Sequence, residues 1–361
     1  MIKRFEKFSE EGTELHYYAL DWDDNILHMP TKILMDRKDG DNWVPIEAST
    51  AEFAKFRQDT ENFRLRDNDP SKAFSEFRDT GARGDSAFLE DVKTAVTQNY
   101  LAPSWDAFIK CLTEGALFAI ITARGHEPNS IRKGVEFIID NVLAKLPSIN
   151  PNFTLADEMF QHLRKFGYFF GTEHSDESQL RGTPSQNSLV KSYLDSCSFF
   201  GVSSPTFAQE FGEASASNPE VAKEIALKFF IERCNEFGRN IGAKEVSVGF
   251  SDDDPKNVEH VEKFFKENLP NMGVKLSLIK TTDPKLPGGE MKKFTETSHQ
   301  TPGLESSVLP FTKWNNMTQR LYPSSKDAPT DDYHNRLKNF TNQSQDLYKK
   351  FGYKRKKKKQ I

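Results

Sequence analysis

Two carboxylates stand close together in the chain, Asp21 and Asp23 in the run Asp21-Trp22-Asp23-Asp24-Asn25. A carboxylate can act as a nucleophile, and a second one nearby can transfer protons. Carboxylates are also ligands that Mg²⁺ accepts in proteins. An isolated Asp-x-Asp pair also occurs in calcium loops and ordinary turns, so its meaning depends on what surrounds it.

Two further polar groups follow apolar segments in the same way as Asp21 follows residues 15–20. Thr122 comes directly after the apolar run 116–121, and Asp252 follows the run 246–250 closely. Short apolar runs that end at polar residues are typical of buried parallel strands. Because ligands bind beyond the carboxyl ends of such strands, we expect the three polar groups to lie at one edge of a sheet.

Amphipathic segments between these runs predict helices. Pro219 begins one that continues to about Phe237, and Ser104 and Asp254 are expected N-caps of two others. Further strands are expected at 168–171, 198–202 and 274–279, and the run 39–42 predicts a turn. Alternating strands and helices predict an α/β fold, a Rossmann-like parallel sheet with helices on both faces.

In their order and strand contexts, these motifs resemble the haloacid-dehalogenase-like (HAD) superfamily. Its pattern is a strand ending in Asp-x-Asp-x-(Thr/Val), a second strand ending in Ser or Thr, a lysine, and a third strand ending in acidic residues. The matching segments span residues 15 to about 280, and Asn25 departs from the usual Thr or Val. The resemblance implies a HAD-like core over residues 1–285, with cap-type insertions at about 28–103 and 126–218.

The resemblance also implies a role for each residue. Asp21 would be the nucleophile that forms an aspartyl-phosphate, and Asp23 would be the general acid and base. Thr122 and the backbone amide of Ala123 would bind phosphoryl oxygens. The residues expected to hold Mg²⁺ are Asp21, Asp23 through its carbonyl, Asp252 and Asp253.

The motif lysine is the member that the sequence leaves open. Lys223, in the run Lys-Glu-Ile-Ala-Leu, resembles the Lys-Gly-x-Ala-Leu form of the family. Lys228 and Lys191 are the alternatives. His28 and His126 follow the first two motifs; like the other histidines they are read as structural or surface residues, although both could approach the site. Arg124, just after Thr122, is a candidate for substrate contact and equally for helix capping.

These features imply a Mg²⁺-dependent phosphatase that hydrolyses a phosphomonoester through an aspartyl-phosphate, with a phosphorylated molecule as its substrate. Two alternatives stay open. One is a catalytically inactive HAD-fold protein with a binding or structural role, which engages its partner through residues 296–361. The other is a phosphatase that acts on nucleic-acid ends.

Charge is unevenly spread along the 361 residues, which carry a net charge of −4. The last residues hold eight cations, Lys349, Lys350 and 354–359, and removing them from −4 leaves −12 on the remainder. An acidic body argues against extended nucleic-acid binding by that body. We expect 286–361 to be a partly disordered extension, whose basic tail is a candidate contact for nucleic acid or another anionic partner.

Cysteines and hydropathy predict the compartment. The three cysteines, Cys111, Cys197 and Cys234, are far apart and lack Cys-x-x-Cys spacing, as is common in a reducing environment. No apolar run approaches the ~18 residues that a membrane-spanning helix needs, and the first residues are charged. We therefore expect a soluble, cytoplasmic protein that makes no membrane contact, with nuclear import as a further possibility from the basic tail.

Overall fold

The computed structural model describes residues 14–79, 87–148, 150–165, 182–212, 218–240, 245–268 and 275–280. The strand expected at 168–171 and the extension expected from residue 286 lie outside these residues. The strands and helices below follow the order of the chain, and the five strands of the main sheet begin and end within two residues of the bounds that the sequence predicts.

The main sheet is built from parallel strands, as predicted. Its members are β1 (Glu14–Leu20), β5 (Phe118–Thr122), β6 (Ser198–Gly201), β7 (Glu245–Asp252) and β8 (Lys275–Lys280). Their order in space is β6-β5-β1-β7-β8, and every neighbouring pair is parallel. The chain is therefore an α/β protein with a five-stranded parallel sheet.

The central strands are buried on both faces, which explains their continuous apolar sequences. All five residues of β5 are buried, as are residues 17–20 of β1. Leu20 pairs with Ile120 on one side and with Ser251 on the other, so β1 lies between the two strands that carry the other polar groups.

The helices occupy the segments between strands. They are α1 (Thr50–Phe56), α2 (Pro70–Ala73), α3 (Ala87–Thr97), α4 (Trp105–Thr113), α5 (Pro128–Ile138), α6 (Leu155–Lys165), α7 (Ser188–Ser196), α8 (Pro205–Phe211), α9 (Pro219–Asn240) and α10 (Pro255–Asn268). Within the ranges that the structure describes, none is both long and apolar enough to cross a bilayer.

The chain adds its later strands on the opposite side of β1, and this reversal of strand order creates a crevice at the carboxyl end of the sheet. From β1 the chain moves to β5 and β6, and it then returns to β7 and β8 on the other side of β1. Because crossovers between parallel strands are right-handed, these two movements place their helices on opposite faces. Helix α9 accordingly packs on β1, β5 and β7 and beside α10. Ligands of such sheets bind at this reversal, between the carboxyl ends of β1 and β7.

The first expected insertion contains a small sheet of its own. Strands β2 (Ile33–Asp39), β3 (Asn42–Ala48) and β4 (Phe63–Leu65) pair in the antiparallel order β3-β2-β4. The turn predicted at 39–42 joins β2 to β3, with Gly40 at a φ of 59°. Residues 33–79, which we call the hairpin unit, surround a separate apolar cluster of Ile33, Met35, Ala48 and Phe77.

Of the second expected insertion, residues 126–218, the structure describes 126–148, 150–165 and 182–212. This described part belongs to the main layer, because β6 within it pairs with β5 as an edge strand of the main sheet. Leu189 and Tyr193 of α7 are fully buried in the main apolar core. The hairpin unit has an apolar cluster of its own, whereas the described part of 126–218 shares the apolar core of the main sheet.

Candidate functional site

Three carboxylates meet in the crevice between β1 and β7. Asp21 follows the last residue of β1, and Asp252 is the last residue of β7. Because Leu20 and Ser251 are paired neighbours, the next residue of each strand emerges beside the other. Carboxylate oxygens of Asp21, Asp252 and Asp253 lie within 4.8 Å of one another.

A buried ammonium group joins two of these carboxylates. Lys223 of α9 donates from Nζ to Asp21 Oδ1 at 2.9 Å and to Asp252 Oδ2 at 2.6 Å, and its side chain is 2% exposed. The alternatives lie elsewhere, since Lys228 is about half exposed and Lys191 is exposed. Of the three candidate lysines, the structure brings Lys223 to the acidic residues.

The charges of the cluster are unbalanced. Burial raises the pKa of Asp21 well above its ordinary value, and Asp252 raises it further, although Lys223 lowers it. Loss of hydration also raises the pKa of Asp253, as do the nearby charges of Asp252 and Asp21. Burial opposes the charged form of Lys223, but the two carboxylates outweigh this effect and raise the pKa of its ammonium. One ammonium therefore faces three carboxylates in a poorly hydrated crevice.

The donor set fits a divalent cation. All three side chains offer oxygen, the ligand type that Mg²⁺ prefers. Burial raises the pKa of Asp21 and of Asp253 because it disfavours their charged forms, and a bound cation would offset that cost. Asp252 is held firmly in place, because its Oδ1 accepts hydrogen bonds from the backbone of Asp254 at 2.9 Å and from Asn257 at 3.0 Å. Asp21, Asp252 and Asp253 are thus the side chains that would hold Mg²⁺.

The fourth expected metal residue, Asp23, has its side chain engaged by Arg124. Arg124 donates from Nε to Asp23 Oδ2 at 2.7 Å and from Nη2 to Oδ1 at 2.6 Å. Such a two-pronged pair is strong and fixes the carboxylate in orientation. The carboxylate of Asp23 is therefore engaged by Arg124, and the expected metal contact through the backbone carbonyl of Asp23 stays a prediction.

The side chain of Arg124, a candidate for substrate contact or helix capping, is buried beside Asp23. It is 1% exposed, and its guanidinium lies 4.5 Å from the ring centre of Phe77 and 5.4 Å from that of Phe88. Its Nη2 also donates to Thr31 Oγ1 at 2.8 Å, and Thr31 in turn donates to Asp91 at 2.6 Å. Arg124 is a buried partner of Asp23, held by residues from three other segments.

The expected phosphate-binding residues lie at the same edge of the sheet. Thr122 ends β5, and its hydroxyl donates to Asp23 Oδ2 at 3.4 Å. Ala123, the next residue, is exposed while Thr122 is buried. The second motif is thus beside the first, and Ala123 is its exposed residue.

The two candidate histidines occupy different surroundings. His28 is bonded through Nδ1 to Asp24 Oδ1 at 2.7 Å and is partly exposed. His126 is fully buried, with its ring 5.1 Å from that of Phe88. His126 is therefore part of the interior, whereas His28 belongs to the loop that follows the first motif.

Asn25 is a site residue whose importance the sequence did not reveal. Its side chain is completely buried and donates from Nδ2 to the backbone carbonyl of Asp21 at 3.0 Å. Ser104 was expected to cap α4, but its hydroxyl makes no capping bond and instead donates to Asn25 Oδ1 at 2.8 Å. The available signal was the departure of residue 25 from the Thr or Val of the family pattern.

The hairpin unit touches the rim of the acidic cluster at two points. Thr50, the first residue of α1, donates its hydroxyl to Asp24, and Arg57, just after α1, bonds from Nη2 to Asp254 Oδ2 at 3.0 Å. Asp254 also caps α10 as predicted, because its Oδ1 accepts from the backbone of Lys256 at 2.9 Å. Helix α1 is therefore held between residues that follow the first and third motifs.

No protein-family model, no curated protein and no solved structure matches the chain.

Proposed function

We propose that this protein is a HAD-type, Mg²⁺-dependent phosphatase that hydrolyses a phosphomonoester through an aspartyl-phosphate. The observation that carries the proposal is the position of Lys223 Nζ, 2.9 Å from Asp21 and 2.6 Å from Asp252. The three residues meet in the crevice between β1 and β7, where the strand order reverses. A buried lysine that joins a nucleophilic carboxylate to a metal-binding one is what phosphoryl transfer by this route requires, because positioning and charge stabilisation supply most of the catalysis.

In the proposed reaction, an oxygen of Asp21 attacks the phosphorus of the substrate, and the alcohol oxygen of the substrate leaves. Water then attacks the aspartyl-phosphate, which releases phosphate and restores Asp21. Lys223 holds Asp21 in place and would also offset charge on the phosphoryl oxygens. A divalent cation held by Asp21, Asp252 and Asp253 would supply further positive charge between two anions that otherwise repel.

Asp23 is proposed to protonate the leaving oxygen and then to accept a proton from the attacking water. Arg124 would set the orientation of its carboxylate, and Thr122 lies beside it. Thr122 and the amide of Ala123 would bind phosphoryl oxygens at the exposed end of β5.

The second candidate is a HAD-like protein that binds a partner without turnover. One observation favours it: both oxygens of Asp23 are engaged by Arg124, so leaving-group protonation would require this pair to open. The third hypothesis, action on nucleic-acid ends, depends on the basic tail, which lies outside the described residues. It therefore rests on the sequence alone.

Hydrolysis of p-nitrophenyl phosphate with and without Mg²⁺ tests the proposal. We expect Mg²⁺-dependent release of nitrophenol by the wild type and its loss in Asp21→Asn, which removes the nucleophile but keeps its size. Glu259→Gln, an exposed change on α10, is the control that should retain activity.

A wider panel identifies the substrate class and separates the candidates. It would contain sugar phosphates, nucleoside monophosphates and oligonucleotides phosphorylated at the 5′ or 3′ end. A folded wild type that hydrolyses none of these would contradict the phosphatase and leave the binding protein. Preference for the oligonucleotides, lost after deletion of 349–361, would instead support the third hypothesis.

A further inference from the structure

The side chain of Asn25 ties three segments of the chain together beneath the acidic cluster. Its Nδ2 lies 3.0 Å from the carbonyl oxygen of Asp21, 3.2 Å from that of Ser251 and 2.9 Å from Ser251 Oγ. Its Oδ1 accepts a hydrogen bond from Ser104, which precedes α4. The first motif, the third motif and the segment before α4 therefore meet on one buried amide.

These bonds act where the pairing between β1 and β7 ends. Leu20 and Ser251 are the last paired residues, and the amide of Asp21 donates to the carbonyl of Ser251 at 2.9 Å. Asp24 then takes a left-handed conformation, with a φ of 53°, which turns the chain back. Asn25 thereby reaches the Asp21 and Ser251 carbonyls and continues the connection between the two strands beyond the sheet.

The chemistry of the amide suits this position better than that of the alternatives. A primary amide has two hydrogens to donate and an oxygen that accepts, so Asn25 serves the carbonyls and Ser104 at the same time. A threonine hydroxyl has one hydrogen and can satisfy only one carbonyl. An aspartate of the same shape has no hydrogen when ionised, and it would place negative charge against two carbonyl oxygens.

We infer that Asn25 is a positioning residue for the cation site, because it holds the backbone of Asp21 and the residue before Asp252 at a fixed separation. The inference rests on the proposed function, since it assumes that the carboxylates of Asp21, Asp252 and Asp253 bind a divalent cation together. Asn25 itself touches neither the cation nor the substrate. Its effect is to keep two ligands from different strands within reach of one ion.

A binding experiment with Mn²⁺ alone and the full chain tests this inference without any turnover. Electron paramagnetic resonance monitors binding as the loss of the free-ion signal. The variants are Asn25→Thr, which keeps one donor, and Asn25→Asp, which keeps the shape and loses the donors. We expect Asn25→Thr to raise the Kd for Mn²⁺ by about 10-fold and Asn25→Asp to raise it more, within the range of about 10- to 100-fold typical of residues that orient metal ligands.

Asn187→Ala is the matched control. Asn187 is also a buried asparagine, and its side chain accepts from the backbone amide of Leu189 at the start of α7, in a different part of the fold. Urea unfolding of every variant measures the loss of stability alongside the Kd. A purely structural role would make the Kd follow stability in all variants, whereas positioning predicts weaker Mn²⁺ binding in the Asn25 variants only.

The outcomes separate this inference from the proposed function. If the wild type binds Mn²⁺ and hydrolyses phosphate esters, but folded Asn25→Thr binds Mn²⁺ as tightly as the wild type, the inference is overturned and the phosphatase stands. Asn25→Thr decides the matter if Asn25→Asp does not fold. If the wild type binds no Mn²⁺ and hydrolyses nothing, the cation site and the proposed function fail, and the inference fails with them.

Discussion

Arg124 holds both carboxylate oxygens of Asp23, at 2.7 Å from Nε to Oδ2 and 2.6 Å from Nη2 to Oδ1. The guanidinium is 1% exposed and the carboxylate 12% exposed, so water screens the pair little. Thr31, in the segment that leads into the hairpin unit, accepts a hydrogen bond from the same guanidinium. This segment therefore helps to fix Arg124 and, through it, the orientation of the Asp23 carboxylate. The proposed acid–base residue is therefore positioned by a partner 101 residues away.

Replacement of Arg124 by lysine should slow the reaction more than it weakens the fold. Lysine keeps the charge but cannot bond both oxygens of Asp23 in a fixed plane. We expect kcat for phosphate-ester hydrolysis to fall by about 10- to 100-fold, with a loss of about 2 kcal/mol in the free energy of unfolding. Arg132→Lys, which changes a buried guanidinium that pairs with Glu136 and Asp195 in another part of the fold, is the control. Equal effects of the two variants on kcat would contradict a specific role for Arg124.

Loss of the Lys223 ammonium should destabilise the protein strongly. Lys223→Met leaves Asp21 and Asp252 buried without their cation, and breaking a buried pair of this kind costs about 3–5 kcal/mol. Urea unfolding at pH 7 without Mg²⁺ measures the change. Lys228→Met, on the exposed side of the same helix, should alter stability by less than about 0.5 kcal/mol. A Lys223→Met variant as stable as the wild type would show that the three groups do not form a charged cluster.

The raised pKa values predict the pH dependence of stability. The folded pKa of Asp21 and that of Asp253 lie above the ordinary value of 3.8, so the folded state holds these protons more tightly than the unfolded state. Stability from these two groups is present below about pH 4 and is lost as pH rises through the raised values. Asp21→Asn should therefore be more stable than the wild type at pH 7 and should show a flatter dependence between pH 4 and 7.

Two further measurements check this assignment. Mg²⁺ should raise the Tm of the wild type more at pH 7 than at pH 5, because protons compete with the metal for the same carboxylates. Asp67→Asn is the control, since Asp67 is exposed and Lys72 lowers the pKa of its carboxyl. Its titration lies below this window, so the slope between pH 4 and 7 should not change. An unchanged slope in Asp21→Asn would contradict the assignment.

The contact between Arg57 and Asp254 should affect substrate binding more than stability. Both side chains are about 30% exposed, so the ion pair contributes about 0–1 kcal/mol. It nevertheless holds α1 of the hairpin unit beside the acidic cluster. We expect Arg57→Ala to raise KM for a small phosphate ester by about 2- to 5-fold with little change in Tm, because a mobile α1 positions the substrate less well. Lys72→Ala removes a more exposed pair in the same unit and should leave KM unchanged.

The sequence by itself determined the parallel sheet and the edge at which the polar residues meet. Buried parallel strands must be apolar along their whole length, so their bounds are visible in the chain. The carboxyl ends of parallel strands face the same edge, so Asp21, Thr122 and Asp252 were predicted to lie together. Lys223 was the first candidate for the motif lysine because its surrounding residues resemble a family motif, but the sequence left Lys228 and Lys191 open.

Only the tertiary structure decided which polar side chains pair within that edge. Arg124 and Asp23 are 101 residues apart, and Ser104 and Asn25 are 79 apart. A hydrogen bond between side chains depends on distances of a few tenths of an ångström and on the direction of each donor. No periodicity in the chain encodes those quantities. For the same reason, the sequence could not show that the described part of residues 126–218 joins the main core, because insertion segments and core segments have similar apolar patterns.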